Sequence, residues 1–184
     1  MAGPLLPTSL PGSTITKIPA WKRVVFREAC MDLARNLKTV TVSRLYPTQA
    51  WLVQAAQPVA DAVKLMREKK VGCVLVCQQR RIVGIFTERD LLRRVLSQGK
   101  PLDTPMNECM TPDPVTVNPK DPISCAIKRM QKGGYRHLPV VIDDKPVGIL
   151  SVKRIVHYLV EHFPTMVYNL PPHPQPMQPK REGA

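Results

Sequence analysis

The sequence has few aromatic residues, no long apolar run and no closely spaced cysteine pair. Only 5% of its 184 residues are Phe, Trp or Tyr, which leaves little material for the base-stacking platforms of single-stranded nucleic-acid binders. No apolar run approaches the roughly 20 residues that a membrane-crossing helix needs. The five cysteines are odd in number and include no Cys-x-x-Cys pair. They predict free thiols in a reducing compartment, and we expect a soluble, cytoplasmic protein.

The N-terminal region does not have the pattern of a secretory signal peptide. Residues 1–19 contain four prolines and two glycines and predict a flexible leader. In residues 20–41, apolar side chains recur at three- and four-residue intervals among charged ones, which is typical of an amphipathic helix. Glu28 and Asp32 argue against an organelle transit peptide, since such peptides are poor in acidic residues. We expect this helix to pack on the rest of the chain or on a second subunit.

The net charge of +13 is unevenly distributed. Residues 1–50 contribute +5 and residues 51–100 contribute +6, whereas residues 101–163 contribute only +1. A basic front half favours anionic partners such as nucleotides, nucleic acid or acidic protein surfaces. A well-solvated surface explains the same charges without any partner, and both interpretations stay open at this point.

The chain contains an internal repeat with an offset of 64 residues and no gap. Such a repeat determines the organisation of the fold and is sought before any other feature. The identical pairs include Pro58 with Pro122, Ala62 with Ala126, Lys64 with Lys128, Met66 with Met130, Val76 with Val140, and the triplet 83–85 with 147–149.

Each copy has the pattern of a β-α-β-β-α unit. We predict repeat one over residues 42–100, repeat two over residues 101–163 and a proline-rich disordered tail over residues 164–184. One such unit is too small to bury both faces of its helices. We therefore expect an α+β fold in which the two repeats pack sheet to sheet with pseudo-twofold symmetry. The predicted elements are strands 51–53, 72–77, 81–86 and 115–117, helices 58–69 and 122–132, a hairpin through Asp143-Asp144, and helices after Thr87 and Ser151.

The stretch 82–95 is the most informative part of the repeat. An apolar strand ends at Phe86, Thr87 then stands at a helix N-cap position, and Asp90 follows three residues later. This spacing predicts a capping box in which Asp takes the place of Glu. A hydroxyl, a carboxylate and free backbone N–H groups at one helix start also suit a hydroxylated, phosphorylated small molecule. The two interpretations are compatible.

The repeat resembles the CBS domain, and its tandem arrangement resembles a Bateman module. The resemblance covers about residues 42–163 and depends on Gly-Ile-Phe-Thr-Glu-Arg-Asp (84–90) and on the lead-in Met-Thr-Pro-Asp-Pro-Val-Thr-Val (110–117). It implies a regulatory binding module without catalytic machinery. It also implies a homodimer, a regulated protein partner, and clefts that take adenosine ligands (AMP, ADP, ATP or S-adenosylmethionine) with no obligatory cofactor.

The resemblance assigns a nucleotide site to the cleft that contains Asp90. Asp90 would hold both ribose hydroxyls, since a carboxylate offers two acceptor oxygens. Arg136, His137 and Lys153 would face the phosphates, although His137 could equally be a buried core histidine. The complete set of predicted site residues is Ile85, Thr87, Asp90, Met110, Thr111, Val115, Arg136, His137 and Lys153.

The second cleft departs from the family pattern. Arg154 stands where the aspartate belongs, and Trp51, large enough to fill a base pocket, occupies the position that matches Val115. Gly72 and Cys73 replace the Arg136-His137 pair, so the phosphate ligands are missing as well. We expect one occupied cleft per chain.

Two alternatives compete with the nucleotide-sensing function. The first is nucleic-acid binding by the basic front half, which the low aromatic content disfavours, and the second is a ligand-free protein-interaction module. The four histidines lack ligands at metal-binding spacing, and no nucleophile, base and orienting group combine into a catalytic arrangement. We therefore predict no enzyme, no metal site and no membrane association.

Overall fold

The computed structural model describes residues 31–79 and 81–168. The predicted leader, the first part of the N-terminal helix and everything after residue 168 lie outside the described residues. The helices are α1 (31–39), α2 (Val59–Lys69), α3 (Glu88–Asp90), α4 (Ile123–Gly133), α5 (Val152–His162) and α6 (Pro164–Tyr168). The strands are β1 (Leu52–Gln54), β2 (Cys73–Gln78), β3 (Arg81–Thr87), β4 (Thr111–Pro112), β5 (His137–Ile142) and β6 (Lys145–Ser151).

This order confirms the α+β class and the duplicated β-α-β-β-α pattern. Several elements differ from the prediction. The strand β4 was not expected, and the helix α6 lies in the segment that was predicted to be a disordered tail. The expected strand 115–117 is reduced to a single parallel bridge between Val117 and Val140. The helix opened by Thr87 leaves α-geometry after Asp90, with a π-helix at Leu91–Val95 and a 3-10 turn at Leu96–Gln98.

The first residues of each repeat (42–48 and 106–112, here called the opening segments) pair with the sheet of the other repeat. β1, β2, β3 and β4 form one sheet, in which β1 is parallel to β2 and the other neighbours are antiparallel. β4 belongs to repeat two in sequence, yet Thr111 pairs with Ile85 of repeat one. Reciprocally, Thr48 of repeat one pairs with Ile149 in the β5-β6 hairpin.

Backbone hydrogen bonds between the repeats follow the same pseudo-twofold symmetry. The amide of Val42 donates to the carbonyl of Asp121 at 2.8 Å, and the amide of Met106 donates to the carbonyl of Gln57 at 2.9 Å. These two bonds are related by the 64-residue offset at both ends. The exchange of opening segments is therefore a property of both copies.

The buried side chains form two matching cores and a smaller layer between the sheets. In each core, two residues come from the opening segment of the opposite repeat. The first core contains Val53, Val59, Ala62, Met66, Val74, Val76, Phe86, Val95, Met106 and Cys109. The second contains Val42, Leu45, Val117, Ile123, Ala126, Met130, Leu138, Val140, Leu150, Ile155 and Tyr158. Between the sheets lie Cys73, Leu75, Ile85 and Ile149.

Two glycines at equivalent positions allow the opening segments to approach the sheets closely. A Cβ added to Gly148 would lie 3.0 Å from Cβ of Pro47 and 3.1 Å from the backbone oxygen of Thr48. At Gly84 it would overlap the side chain of Met110. Both close contacts involve the segment that crosses from the other repeat. Packing therefore explains why the triplets 83–85 and 147–149 both have glycine at the central position.

We predict that Gly148→Ala destabilises the protein by about 1–3 kcal/mol, the usual cost of overpacking. The nearest atoms are Cβ of Pro47 and the backbone oxygen of Thr48, neither of which is the far end of a flexible side chain. Gly72→Ala is the matched control, because its added Cβ would meet nothing closer than 3.5 Å. Urea unfolding of both variants measures the difference, and equal midpoints would show that the close approach has no energetic consequence.

Candidate functional site

A cavity of about 610 Å³ opens between the two repeats, a volume within the usual range for small-molecule sites. Repeat one contributes the end of β3 and the start of α3, and repeat two contributes β4, the start of β5 and the start of α5. Eight of the nine predicted site residues line this cavity: Ile85, Thr87, Asp90, Thr111, Val115, Arg136, His137 and Lys153.

Met110, the ninth predicted residue, is not part of the cavity lining. Its side chain packs on the core of repeat one and lies over Gly84. Its carbonyl oxygen accepts a hydrogen bond from Nη1 of Arg94 at 2.5 Å. The contribution of Met110 is therefore to attach the opening segment of repeat two to repeat one.

Asp90 is a buried carboxylate at the start of α3. Its backbone amide donates to Oγ1 of Thr87, and its Oδ2 accepts from the amide of Thr87 at 3.0 Å, so the predicted capping box is present. The Thr87 hydroxyl donates to the same Oδ2 at 2.7 Å. The capping bonds fix the direction of the carboxylate at the cavity wall.

The second oxygen of Asp90 is engaged by residues from outside the first turn of α3. The Thr111 hydroxyl donates to Oδ1 at 3.1 Å, and Nε of Arg94 lies 3.3 Å from the same atom. A carboxylate offers about four acceptor positions, and in this structure that of Asp90 accepts three hydrogen bonds and forms an ion pair with Arg94. Through Thr111 and Arg94, the carboxylate joins repeat one to the opening segment of repeat two.

The cavity has an excess of positive charge. Its lining includes five basic side chains, Arg89, Arg93, Arg94, Arg136 and Lys153, against the acidic Glu88, Asp90 and Asp113. Of the five, only Arg94 belongs to an ion pair among those found in residues 31–79 and 81–168. Desolvation, with repulsion from Arg136 and Arg93, holds the pKa of the Arg89 guanidinium below its ordinary value. The Arg89 guanidinium is therefore repelled by a guanidinium group from each repeat, an arrangement that an anion would relieve.

The predicted site residues did not include Arg89, Arg93 and Arg94. The signal was present, since Arg93 and Arg94 follow Asp90 by three and four residues and so share its helix face. The π-helix that starts at Leu91 has no counterpart in α5, which is a regular α-helix. Single π-turns inside helices are frequent at functional sites.

His137 lies at the start of β5, opposite Ser151. Burial lowers the pKa of its imidazole below the ordinary value of 6.5, repulsion from Arg136 lowers it further, and Glu88 partly compensates. His137 is therefore neutral at pH 7 and would meet a ligand as a hydrogen-bonding group and not as a cation.

The residues that distinguish the second cleft lie in different places, and one of them, Gly72, lines the cavity at Asp90. Trp51 packs on the core of repeat one, with the Lys69 ammonium 4.7 Å from its ring centroid. Burial, helped by Glu88, raises the pKa of the Cys73 thiol to about 12, so this thiol is inert. Arg154 lines a different cavity from Asp90.

The fold and the cavity define a duplicated α+β module with a ligand-sized cleft between its halves. A family model described as the CBS domain matches residues 42–97 and 106–161, together more than half of the chain. The chain belongs to the CBS domain family. CBS-domain proteins are regulatory, non-catalytic modules.

Individual relatives agree with this assignment. The chain is 32% identical over 105 residues to the CBS domain-containing protein YhcV of Bacillus subtilis, which covers 57% of this chain and 75% of that protein. It is similar to a solved CBS-domain containing protein from Agrobacterium tumefaciens, with a TM-score of 0.60, 27% identity and coverage of 65% of this chain and 98% of that one. A CBS domain protein from Pyrobaculum aerophilum, solved in complex with AMP, has the same fold, with a TM-score of 0.59, 24% identity and coverage of 66% and 99%.

Among the helices of residues 31–79 and 81–168, none has both the length and the apolar character required to cross a membrane.

We predict that the stability of the protein falls as the pH drops below about 6.5, and that His137→Gln reduces this loss. The depressed pKa means that the unfolded chain binds the proton more readily than the folded one, so unfolding is favoured between pH 6.5 and the folded pKa. Melting temperatures at pH 8 and pH 5.5 measure the effect. His157→Gln, which removes an exposed imidazole, is the control. If the melting temperature of His137→Gln falls between pH 8 and pH 5.5 by as much as that of the parent, the prediction is wrong.

Proposed function

We propose that the cleft at Asp90 binds an adenosine ligand and that its occupancy regulates a protein partner without any catalytic step. The observation that carries the proposal is one cavity that combines a fixed carboxylate from repeat one with basic groups from repeat two. This combination suits a molecule that bears vicinal hydroxyls next to an anion. The AMP bound to the relative from Pyrobaculum aerophilum is consistent with this ligand class.

In the proposed complex, the ribose replaces part of the hydrogen bonding at Asp90. The two bonds that Thr87 donates to Oδ2 belong to the helix cap and can persist. The bonds to Oδ1 come from Thr111 and Arg94, so a ribose diol gains access by displacing these groups. The ligand exchanges one set of hydrogen bonds for another, and its net gain is smaller than its contacts alone suggest.

The phosphate groups would lie toward the basic side of the cleft. Arg136 provides a planar guanidinium suited to bidentate contact, Lys153 a point charge and His137 a neutral hydrogen-bonding group. Arg89 and Arg93 extend this surface from repeat one. The base would lie against the apolar surface near Ile85 and Val115.

Displacement of Arg94 supplies a route from ligand to partner. Arg94 also donates to the carbonyl of Met110, which begins the segment that crosses between the repeats. Release of Arg94 and Thr111 would loosen this segment in the occupied state. A partner protein that binds the occupied state and the empty state with different affinities would then bind more or less tightly when the ligand is present.

We predict that AMP, ADP or ATP raises the melting temperature of the parent protein and that Asp90→Asn abolishes this shift. A ligand at a hundredfold excess over its dissociation constant adds about 2.7 kcal/mol of stability. Arg94→Met should bind about two- to fivefold more tightly than the parent, since it removes a competing ion pair worth up to about 1 kcal/mol. A thermal-shift panel that also includes NADH and S-adenosylmethionine measures both effects.

Asp121→Asn is the matched control, because it neutralises a carboxylate that is paired with Arg129 away from the cleft. It should respond to ligand as the parent does. If no compound changes the melting temperature of the parent, the protein is a ligand-free interaction module in which Asp90 serves only as a helix cap. If Arg94→Met binds the ligand more weakly than the parent, the ligand does not displace Arg94 from Asp90, but the cleft is still the binding site.

We also propose that the protein acts as a homodimer. Leu92 and Val156 are related by the 64-residue offset, and 60% and 47% of their surfaces are exposed. Leu96 and Val152 extend the exposed apolar surface along the same two helical segments. Two symmetric copies can cover a surface that is itself nearly symmetric, and exposed apolar groups of this kind mark interaction sites.

Leu92→Glu should shift the protein toward the monomer, with a dimer dissociation constant at least tenfold higher, since it would bury an unpaired carboxylate at the interface. Sedimentation equilibrium over a concentration series measures the constant. Ile142→Glu, which changes an exposed apolar residue at the end of β5, is the control. A parent that remains monomeric at every concentration would exclude the dimer.

A further inference from the structure

A second cavity lies between α5 and the segment that follows α1, and it plays no part in the proposed nucleotide site. Its volume is about 600 Å³, and it is enclosed by α5 and by the segment 40–46 that follows α1. The charged and titratable groups in its lining, apart from Tyr46 and Tyr158, are Arg44, Arg154, His157, Glu161 and His162.

Helical spacing directs these groups to a common surface. Arg154, His157 and Glu161 follow one another by three and four residues, so they share a face of α5. Ile155 and Tyr158, between them in sequence, turn toward the second core. Arg44 belongs to the short 3-10 helix Val42–Leu45, which packs against this core from the other wall of the cavity.

The positive charge of this cavity is not neutralised by ion pairs. Arg44, Arg154, His157 and His162 form no ion pair within 4.0 Å of an acidic group in the described part of the chain. Glu161 is the one carboxylate in the lining. Two permanent cations and two imidazoles thus surround a concave space that contains a single acidic group.

The hydrogen bonding of His162 leaves one ring nitrogen available. Its Nδ1 donates to the carbonyl of Tyr158 at 3.0 Å, and its ring stacks on the Tyr158 ring with centroids 4.2 Å apart. This bond fixes the tautomer in the neutral form, so Nε2 carries the lone pair and becomes a donor when the ring is protonated. Tyr158 in turn donates from its hydroxyl to Oδ1 of Asn36 in α1.

The replacement of aspartate by Arg154 excludes a ribose-centred mode of binding here. At the equivalent position Asp90 supplies acceptors, whereas a guanidinium is only a donor. The duplicated scaffold therefore presents donors and positive charge where the other repeat presents a carboxylate. The chemistry favours a compact anion whose oxygens accept hydrogen bonds, and phosphate is the group that Arg recognises best through paired contacts.

We propose that this second cavity is a binding site for a phosphate-class anion, held by Arg154 and Arg44 with His157 and His162 at its edge. The site is separate from the nucleotide cleft and does not require a nucleoside. An anion there would bridge α5 and the segment that leads from α1. Its occupancy would therefore fix the position of α1 on repeat two.

The test uses orthophosphate and pyrophosphate as probes at constant ionic strength, with the full chain and NMR detection of the histidine rings. The chain contains four histidines, which can be assigned by single His→Gln variants. His157 and His162 report on this cavity, and His137 reports on the nucleotide cleft. We expect pyrophosphate to shift the His157 and His162 signals in a saturable manner.

The variant Arg154→Gln should weaken this response about tenfold, since one charge-assisted hydrogen-bonding group is lost. Arg136→Gln should leave it unchanged, which separates this site from the nucleotide cleft, and Arg67→Gln on the exposed face of α2 controls for net charge. Shifts confined to His137, or an Arg154→Gln response equal to that of the parent, would overturn the proposal. Tighter binding of a short oligonucleotide, reduced by Arg154→Gln and by added salt, would reassign the cavity to nucleic acid.

Discussion

The reciprocal pairing of the opening segments is the constraint on which the rest of the structure depends. The amides of Val42 and Met106 donate across the repeats at equivalent positions, and their side chains enter the core of the opposite copy. Neither repeat can bury its helices or complete its sheet alone. Because each copy needs the segment of the other, the two repeats fold as one unit, and a boundary drawn between them along the sequence does not divide them in space.

The candidate cleft is a consequence of this exchange. β4 crosses from repeat two onto β3 of repeat one, and this crossing brings Thr111 to the carboxylate of Asp90. Arg94 reinforces the crossing through its bonds to Asp90 and to the carbonyl of Met110. The carboxylate that would hold a ribose is thus also the group that fastens the repeats. Binding at such a group is coupled to the contacts between repeats, because both use the same oxygen atoms.

The two copies share their helix caps and their main strand pairs but differ in charge. Thr87 and Ser151 both cap the helix that follows. The backbone amides of Glu88 and Val152 both donate to the carbonyl just before β2 or β5 of their own repeat. Two residues further on, however, Asp90 faces a mostly basic cleft whereas Arg154 faces a separate basic cavity. Backbone geometry can persist through such a reversal, since caps and strand pairs depend on main-chain groups. The chemistry of each site depends on the side chains and has diverged.

Side-chain contacts of the candidate site were only partly accessible from the pattern of residues. The family motif identified Asp90, Arg136 and Lys153, which line one cavity. Met110, which the motif also indicated, is not part of this lining, and its side chain packs on the core of repeat one over Gly84. The contribution of Arg93 to the lining was also missed, although its spacing of three residues from Asp90 indicates that the two share a helix face.

The sequence by itself determined the duplication, the order of helices and strands, and the cap at Thr87, because these features are periodic or involve neighbours within a few residues. Only the tertiary structure decided that the opening segments cross between the repeats and that Asp90 is bound by Thr111 and paired with Arg94. Such contacts join residues that are distant along the chain, and their geometry depends on how two sheets pack against each other. A pattern of side chains specifies which groups are present, whereas packing specifies which of them meet.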